Sequence, residues 1–395
     1  MKSLVLKRSN LEVKLVYKCA IIFLITLSAH MARRVLMITS SSSGGGPKQL
    51  STLTERLSSD FVINVACPNN SIYLNDIEAS ISGKLLFIKE RKISFLDIYN
   101  IIKFIKQNSI ELVHSHGKAA GLLARMAFFF TRIKLIHTYH GVHLSRYKVI
   151  LKILYVTYER IFSMINTYNI FVSISEMKMA KDSNILLKDK SVVIPNGVLD
   201  QELKETKTNY INRLRQSLSI PTNITVAITS CRLEQIKNLF ELIDIAQANS
   251  DIFFYVMGEG PLRSELNRYI RLQKLSNIIL LGHITNVFDY LNASDIYIST
   301  SLREGHPLSV LEAMSVGLPV LATAVPGNLD TIIHGDSGFF YELGNIEQAS
   351  YFLNKLSSNN KLRKQIGANA QCIQKLKFSV SAMTKAYGDL YKSVQ

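Results

Sequence analysis

From Met31 onward, apolar runs of strand length recur along the chain, separated by amphipathic or polar stretches of helical length. RVLMITS (34–40), FVINVACP (61–68), KLLFIKE (84–90), ELVHSH (111–116), KLIHTYH (134–140), NIFVSIS (169–175) and VVIPNG (192–197) each read as a buried strand. Between them, FLDIYNIIKFIKQN (95–108) has helical spacing, and SSSGGGPKQL (41–50) is a Ser/Gly-rich turn leading into a helix. A second series begins near Pro221 with ITVAITSCR (224–232), DIFFYVMGEG (251–260), IILLGHI (278–284), DIYISTS (295–301), LPVLATAV (318–325) and SGFFYE (337–342). The polar stretch from about Gln201 to Ile220 separates the two series. Repeated β–α alternation predicts an α/β chain of two doubly wound parallel sheets, covered on both faces and divided by a cleft. Ligands of such sheets bind beyond the carboxyl ends of the strands.

Composition agrees with a folded protein and narrows its setting. The chain has 395 residues, 47% hydrophobic and 19% charged, with only 8 Pro, which excludes collagen-like and disordered classes. Cys19, Cys67, Cys231 and Cys372 lie far apart with no C-x-x-C pair, so neither a disulfide framework nor a zinc ribbon is expected. A cytoplasmic setting follows. The formal charge of +16 attracts polyanions, anionic lipid surfaces or phosphorylated small molecules. Lys and Arg are spread along the chain without a zinc-finger, basic-zipper or RNA-recognition motif, so no nucleic-acid partner is expected. Residues 1–30 have a basic start and the apolar stretch CAIIFLITLSA, shorter than the ~18 residues a spanning helix needs. They read as an extension outside the fold, with an anchor or signal as the alternative.

The densest chemical signal is REGHPLSVLEAMSVGLPVLAT (303–323). Strand DIYISTS ends, a loop carries Glu304 and Gly305, and Pro307 opens a helix whose free N–H groups near Leu308 and Ser309 suit an anionic phosphate. Glu312 lies a little over one turn into that helix, so both carboxylates can face one ligand from different depths. In SCRLEQIKNL, Arg232 follows a strand and Lys237 comes five residues later. A planar fork and a point charge could together clamp a diphosphate. VMGEGPLRSEL ends a strand in Gly258 and Gly260, and LLGHITN puts His283 and Ile284 at a strand end where backbone groups can meet a nucleobase.

With these motifs in order, residues 31–395 resemble the family 4 glycosyltransferases, retaining enzymes of the two-Rossmann GT-B fold. The resemblance implies that Arg232 and Lys237 bind the donor diphosphate, Glu304 contacts the transferred sugar, and Glu312 holds the ribose hydroxyls. Gly45 and Gly46 resemble that family's glycine loop, whereas Pro47-Lys48 departs from the acidic residue often found there. His140, in the H-G pair closing HTYHGVH, is the candidate to contact the reacting sugar. His137 and His143 read as packed strand-end residues, and a zinc reading lacks both helical pairing and an acidic ligand. HSHGKAAGLLARMA, with His114 and Lys118, reads as structure rather than chemistry. Residues 31–200 are then the acceptor-side domain, 201–378 the donor domain, and 379–395 a C-terminal helix packing back on the first.

By the same resemblance, the sugar passes from a nucleotide diphosphate, UDP being the usual base, to a glycan or undecaprenyl-linked acceptor in surface-polysaccharide synthesis. With no D-x-D sequence, a metal bridge is not implied, and neither metal nor other cofactor is expected. LSRYKVILKILYVTYERIF (144–162) mixes apolar residues with Arg146, Lys148, Lys152 and Arg160, which suits either an interfacial helix on an anionic membrane or a core helix with solvated charges. Two other readings compete: a sugar-nucleotide 2-epimerase of the same fold, and a non-catalytic binder of polyanions or membrane surfaces.

Overall fold

The computed structural model describes residues 32–141, 148–186, 190–200, 207–218, 220 and 224–394. The extension 1–30, His143 and the start of the 144–162 segment lie outside the described residues. Thirteen strands form two sheets among the rest, each at one of the predicted runs. The first sheet holds β1 (Arg34–Thr39), β2 (Val62–Cys67), β3 (Leu85–Phe87), β4 (Leu112–His116), β5 (Lys134–Tyr139), β6 (Tyr168–Phe171) and β7 (Ser191–Val193). The second holds β8 (Thr225–Ser230), β9 (Ile252–Met257), β10 (Ile278–Gly282), β11 (Ile296–Ser299), β12 (Val320–Thr323) and β13 (Gly338–Tyr341).

Strand order is β3-β2-β1-β4-β5-β6-β7 in one sheet and β10-β9-β8-β11-β12-β13 in the other, and every pairing is parallel. Both orders reverse direction once, between β1 and β4 and between β8 and β11. A crevice opens where connections leave a sheet in opposite directions, so each sheet has its binding position there.

Strands buried on both faces are largely apolar: β1 is buried but for one exposed end residue, Arg34, while β4 is fully buried and carries His114, Ser115 and His116 after its apolar start. Leu50, Leu53 and Leu57 of helix Gly45–Leu57 cover one face of the first sheet, and Ile101, Phe104, Leu123 and Ala127 cover the other. The second sheet is sandwiched the same way, by Leu242, Ile245, Leu266 and Leu353 on one side and Val310, Leu311, Met314 and Ala370 on the other.

Two crossings join the sheets. Val198 N–H donates to Phe378 O at 2.9 Å, and Val380 N–H donates back to Val198 O at 3.0 Å, so the outgoing and returning chains are laced together. Beyond this point helix Val380–Ser393 buries Met383, Tyr387, Leu390 and Tyr391 in the core of the first sheet. A second helix, Lys207–Ser217, falls inside the polar stretch that pattern alone left without an element. Its anchor is polar: the Arg215 guanidinium donates to Ala293 O at 2.9 Å and pairs with Asp295 at 2.5 Å.

Helix Val149–Ser163 is unlike the other helices covering the first sheet. Its inner side is held by an ion pair, Arg125–Glu159 at 2.9 Å, with both side chains buried and Tyr139 donating to the same carboxylate at 3.0 Å. Tyr155 and Val156 pack inward against Tyr139 and Phe171, whereas Val149, Ile150, Leu151, Ile153, Leu154 and Ile161 are exposed, Ile150 by 74%.

Candidate active site in the cleft between the sheets

A cavity of about 480 Å³ lies at the carboxyl ends of β1, β5, β8 and β11, walled by both sheets' loops. Gly44, with φ at 98°, ends the loop after β1 in a conformation that side chains resist, and Gly45 and Gly46 then begin the helix. Both line the cavity. A β-carbon on Gly46 would stand 3.3 Å from the His140 ring, so the loop can lie against that histidine.

The second sheet supplies the charges. Arg232 follows β8 and pairs with Glu234 at 2.8 Å. Lys237 closes a short 3-10 turn, and its Nζ sits 2.5 Å from Glu304 Oε1. Burial opposes the Lys237 ammonium, but the charge and hydrogen bond of Glu304 outweigh it and raise its pKa. Ser301 Oγ also donates to Glu304 Oε1, at 2.7 Å. Gly305 continues the loop toward Val172 and Gly141 of the first sheet's side, and Pro307 caps helix Leu308–Ser315. Leu308, Ser309 and Glu312 follow along the cavity wall. Glu312 accepts a hydrogen bond from Lys48 Nζ, which reaches across from the first sheet's helix. Burial works against that ammonium too, and Glu312 again raises its pKa.

Four predicted residues do not line the cavity. A β-carbon at Gly258 would lie 1.9 Å from Cys231 O, and one at Gly260 lies 2.6 Å from Leu233 O. Their backbone instead packs under Arg232: Cys231 N–H donates to Met257 O and Leu233 N–H to Glu259 O, both at 3.0 Å. These glycines let two turns stack and so set where Arg232 points. His283 and Ile284 sit one strand further out, beyond β10, with His283 exposed.

The first sheet contributes neutral groups. Parallel pairing of β4 with β5 sets His114, His116 and His137 at adjoining positions, and His140 follows β5. His114 contacts Tyr391 Oη at 2.5 Å and Thr138 Oγ1 at 2.7 Å, which ties the C-terminal helix to the sheet. His137 lies beneath Gly121 and meets Ser115 Oγ at 2.9 Å, away from the cleft. His116 Nδ1 meets His140 Nε2 at 3.3 Å with the rings stacked. Burial pushes His140 down to about 4 and His114 to about 3, with His116 and His137 well below their ordinary value, so the cluster is uncharged near neutrality.

Sequence reasoning passed over several wall residues: Tyr73, Asn196, Glu234, Arg303 and His306, and it noted Lys48 only as a departure from a pattern. Asn196 Nδ2 donates to His306 O at 2.9 Å, joining the chain crossing to the Glu304 loop. Among the described residues no group of three or more His, Cys, Asp or Glu is placed to hold a metal.

Two family models divide the chain: the one described as Glycosyltransferase Family 4 matches residues 25–202, and Glycosyl transferases group 1 matches 211–372. The UDP-Gal:alpha-D-GlcNAc-diphosphoundecaprenol alpha-1,3-galactosyltransferase of Escherichia coli is 28% identical over 316 residues, 75% of this chain and 79% of that protein. The capsular polysaccharide biosynthesis glycosyltransferase CapM of Staphylococcus aureus is 24% identical, over 76% of this chain and 82% of its own. The crystal structure of Anabaena Alr3699/HepE with UDP and glucose superposes with a TM-score of 0.79 at 18% identity, covering 92% of this chain and all of that one.

Proposed function

From a chain that belongs to the GT-B glycosyltransferases, its first half matching family 4 and its second half group 1, we propose a retaining hexosyl- or N-acetylhexosaminyltransferase of surface-polysaccharide synthesis. Transfer of a sugar from a nucleotide-diphosphate donor in polysaccharide-related synthesis is the activity of that membership. The finer reading rests on one observation: Arg232, Lys237, Glu304 and Glu312 converge on one cavity at the second sheet's switch point, facing His140 from the first.

In this reading the nucleotide's ribose hydroxyls donate to Glu312, and the diphosphate lies along Arg232, Lys237 and the first turn of helix Leu308–Ser315. As the glycosidic bond to the diphosphate breaks, negative charge grows on the leaving oxygen, where preorganised cations stabilise it most. Glu304 accepts hydrogen bonds from the sugar hydroxyls and holds Lys237 in place. The acceptor hydroxyl attacks from the face the diphosphate leaves and passes its proton to the departing phosphate oxygen, which keeps the anomeric configuration. His140 is neutral at working pH and serves as a hydrogen-bonding group beside the sugar, without adding a positive charge next to an oxocarbenium-like centre.

A UDP-sugar is the proposed donor and an undecaprenyl-linked glycan the proposed acceptor, since the E. coli relative is described as using both kinds of molecule. The outward apolar face of helix Val149–Ser163, flanked by Lys148, Lys152 and Arg160, supports a peripheral position on an anionic membrane, where such an acceptor resides. No helix among the described residues is long and apolar enough to cross a membrane. The test is a thermal-shift screen with UDP-, GDP- and ADP-sugars, followed by release of UDP from the best donor. If no nucleotide sugar shifts the transition, the donor reading is lost, and a protein binding polyanions becomes the better account.

A further inference from the structure

Lys48 stands where the cleft's two sides meet. It projects from helix Gly45–Leu57 on the first sheet and forms an ion pair with Glu312, 264 residues away on the second. The carboxylate is nearly enclosed, 9% exposed, while the Lys48 side chain keeps 42% of its surface in solvent. The pair also marks a boundary. Lys48 and Tyr73 belong both to the main cavity and to a second groove of about 390 Å³, walled by Ser51, Thr52, Glu55 and Asp76.

An enclosed carboxylate without a partner is costly, so a cation beside Glu312 stabilises the empty cleft. That same cation is in the way of a ribose. A vicinal diol reaching both carboxylate oxygens needs the cavity side of Glu312, and on this nearly enclosed group the Lys48 ammonium already sits there on Oε1. Once the diol replaces it, the ammonium has an exposed stem that already lines the adjoining groove, whose wall also carries Asp76 and Glu55, the latter paired with Arg56 at 3.3 Å.

We propose that Lys48 is a latch on the donor site: the nucleotide's ribose displaces it from Glu312, and the freed ammonium moves to the groove on the first sheet's side. The inference rests on the donor reading given above. Its consequence is a coupling between the two sides of the cleft, because donor occupancy decides whether the groove has its cation. Donor affinity in the wild type is the affinity of a site that must first give up an ion pair.

Titration calorimetry with UDP on the full chain tests this directly. Lys48→Met, which keeps the stem and removes the charge, should bind UDP at least threefold more tightly than wild type, and Lys48→Arg should bind it about as wild type does. Acylation of Lys48 by an N-hydroxysuccinimide ester, followed by mass spectrometry, gives an independent readout in the unaltered protein. UDP should raise the labelling rate of Lys48, because the amine leaves its partner. Slower labelling with UDP, or unchanged or weaker UDP binding by Lys48→Met, overturns the latch and makes Lys48 a donor ligand or a bystander. Glu312→Ala separates the two levels: if it loses UDP while Lys48→Met binds no tighter, only the latch fails. If it keeps wild-type UDP affinity, the donor reading fails and the latch with it.

Discussion

Replacing Lys237 by Ala removes a cation that the structure uses twice, and the two uses can be separated. The first is structural. Nζ lies 2.5 Å from Glu304 Oε1, with the side chains 20% and 12% exposed. Breaking a buried pair from one side costs about 3–5 kcal/mol when fully enclosed. At this exposure a loss of about 1–3 kcal/mol is the better figure, since water reaches the orphaned carboxylate. The second use is chemical. A preorganised charge at a developing anion contributes about 3–4 kcal/mol, so turnover should fall roughly 10²- to 10³-fold. The double variant Lys237→Met with Glu304→Gln removes the stranded charge and should recover most of the folding loss while recovering none of the turnover. Urea denaturation followed by far-UV circular dichroism reads the first quantity, a suitable probe in a chain without Trp. UDP release from the screened donor reads the second. Should the double variant turn over within tenfold of wild type, the diphosphate does not lie against Lys237, and the leaving-group role assigned to it is wrong.

The buried histidines make stability depend on pH in a window above that of the carboxylates. His114, His140 and His306 are held by burial to about 3, 4 and 4, below an ordinary value near 6.5, so the unfolded chain binds protons first as pH falls. Their contribution is complete above about pH 6.5 and is lost toward pH 4; at pH 5.5 each costs on the order of 1 kcal/mol, and a urea midpoint that stays flat from pH 8 to 5.5 would refute the burial. Turnover should survive excess EDTA, because in the proposed site Arg232 and Lys237 supply the positive charge for the leaving group; loss of activity restored by added Mg²⁺ would point to a metal. Ile150→Asp with Leu154→Asp should abolish sedimentation with phosphatidylglycerol vesicles while leaving UDP binding intact, and persistent binding would move the membrane contact to another face.

The fold was legible because parallel strands buried on both faces leave mostly apolar runs of strand length, and every such run in the pattern corresponds to a strand. That four charged residues of the second sheet meet at one cavity was legible for a related reason. Arg232 and Lys237 are neighbours in sequence, as are Glu304 and Glu312, so their local spacing already carries their geometry. What sequence could not show is pairing across distance. Lys48 with Glu312, Asn196 with His306, and His116 with His140 join residues from separate strands or separate sheets. Gly258 and Gly260 invite a phosphate-binding reading, and what the structure adds is that a β-carbon on either would meet the backbone of Cys231 or Leu233. Helix Lys207–Ser217 escaped notice because its sequence is mostly polar, and a buried Arg215 helps to fasten it beside Leu214.

The cleft's ion pairs share one logic. Arg232 faces Glu234, Lys237 faces Glu304 and Lys48 faces Glu312, so these three cations and three carboxylates neutralise one another in the absence of substrate. A protein of formal charge +16 thus keeps its surplus mainly outside the site, where it can draw a polyanionic donor toward the molecule by long-range attraction. Inside, a bare cluster of cations would repel itself and lose solvation, whereas pairing removes both costs until a ligand arrives. The ligand must then bring what each partner was supplying: phosphate oxygens for the cations, hydroxyl protons for the carboxylates. A nucleotide sugar carries both sets along one molecule, with a diol at one end, a diphosphate in the middle and sugar hydroxyls beyond. A simple phosphate satisfies only the cations and leaves Glu304 and Glu312 stranded. Selectivity for the whole donor over its fragments therefore follows from the way the empty cleft is balanced, and inorganic pyrophosphate should compete with UDP far less well than its charge alone would suggest.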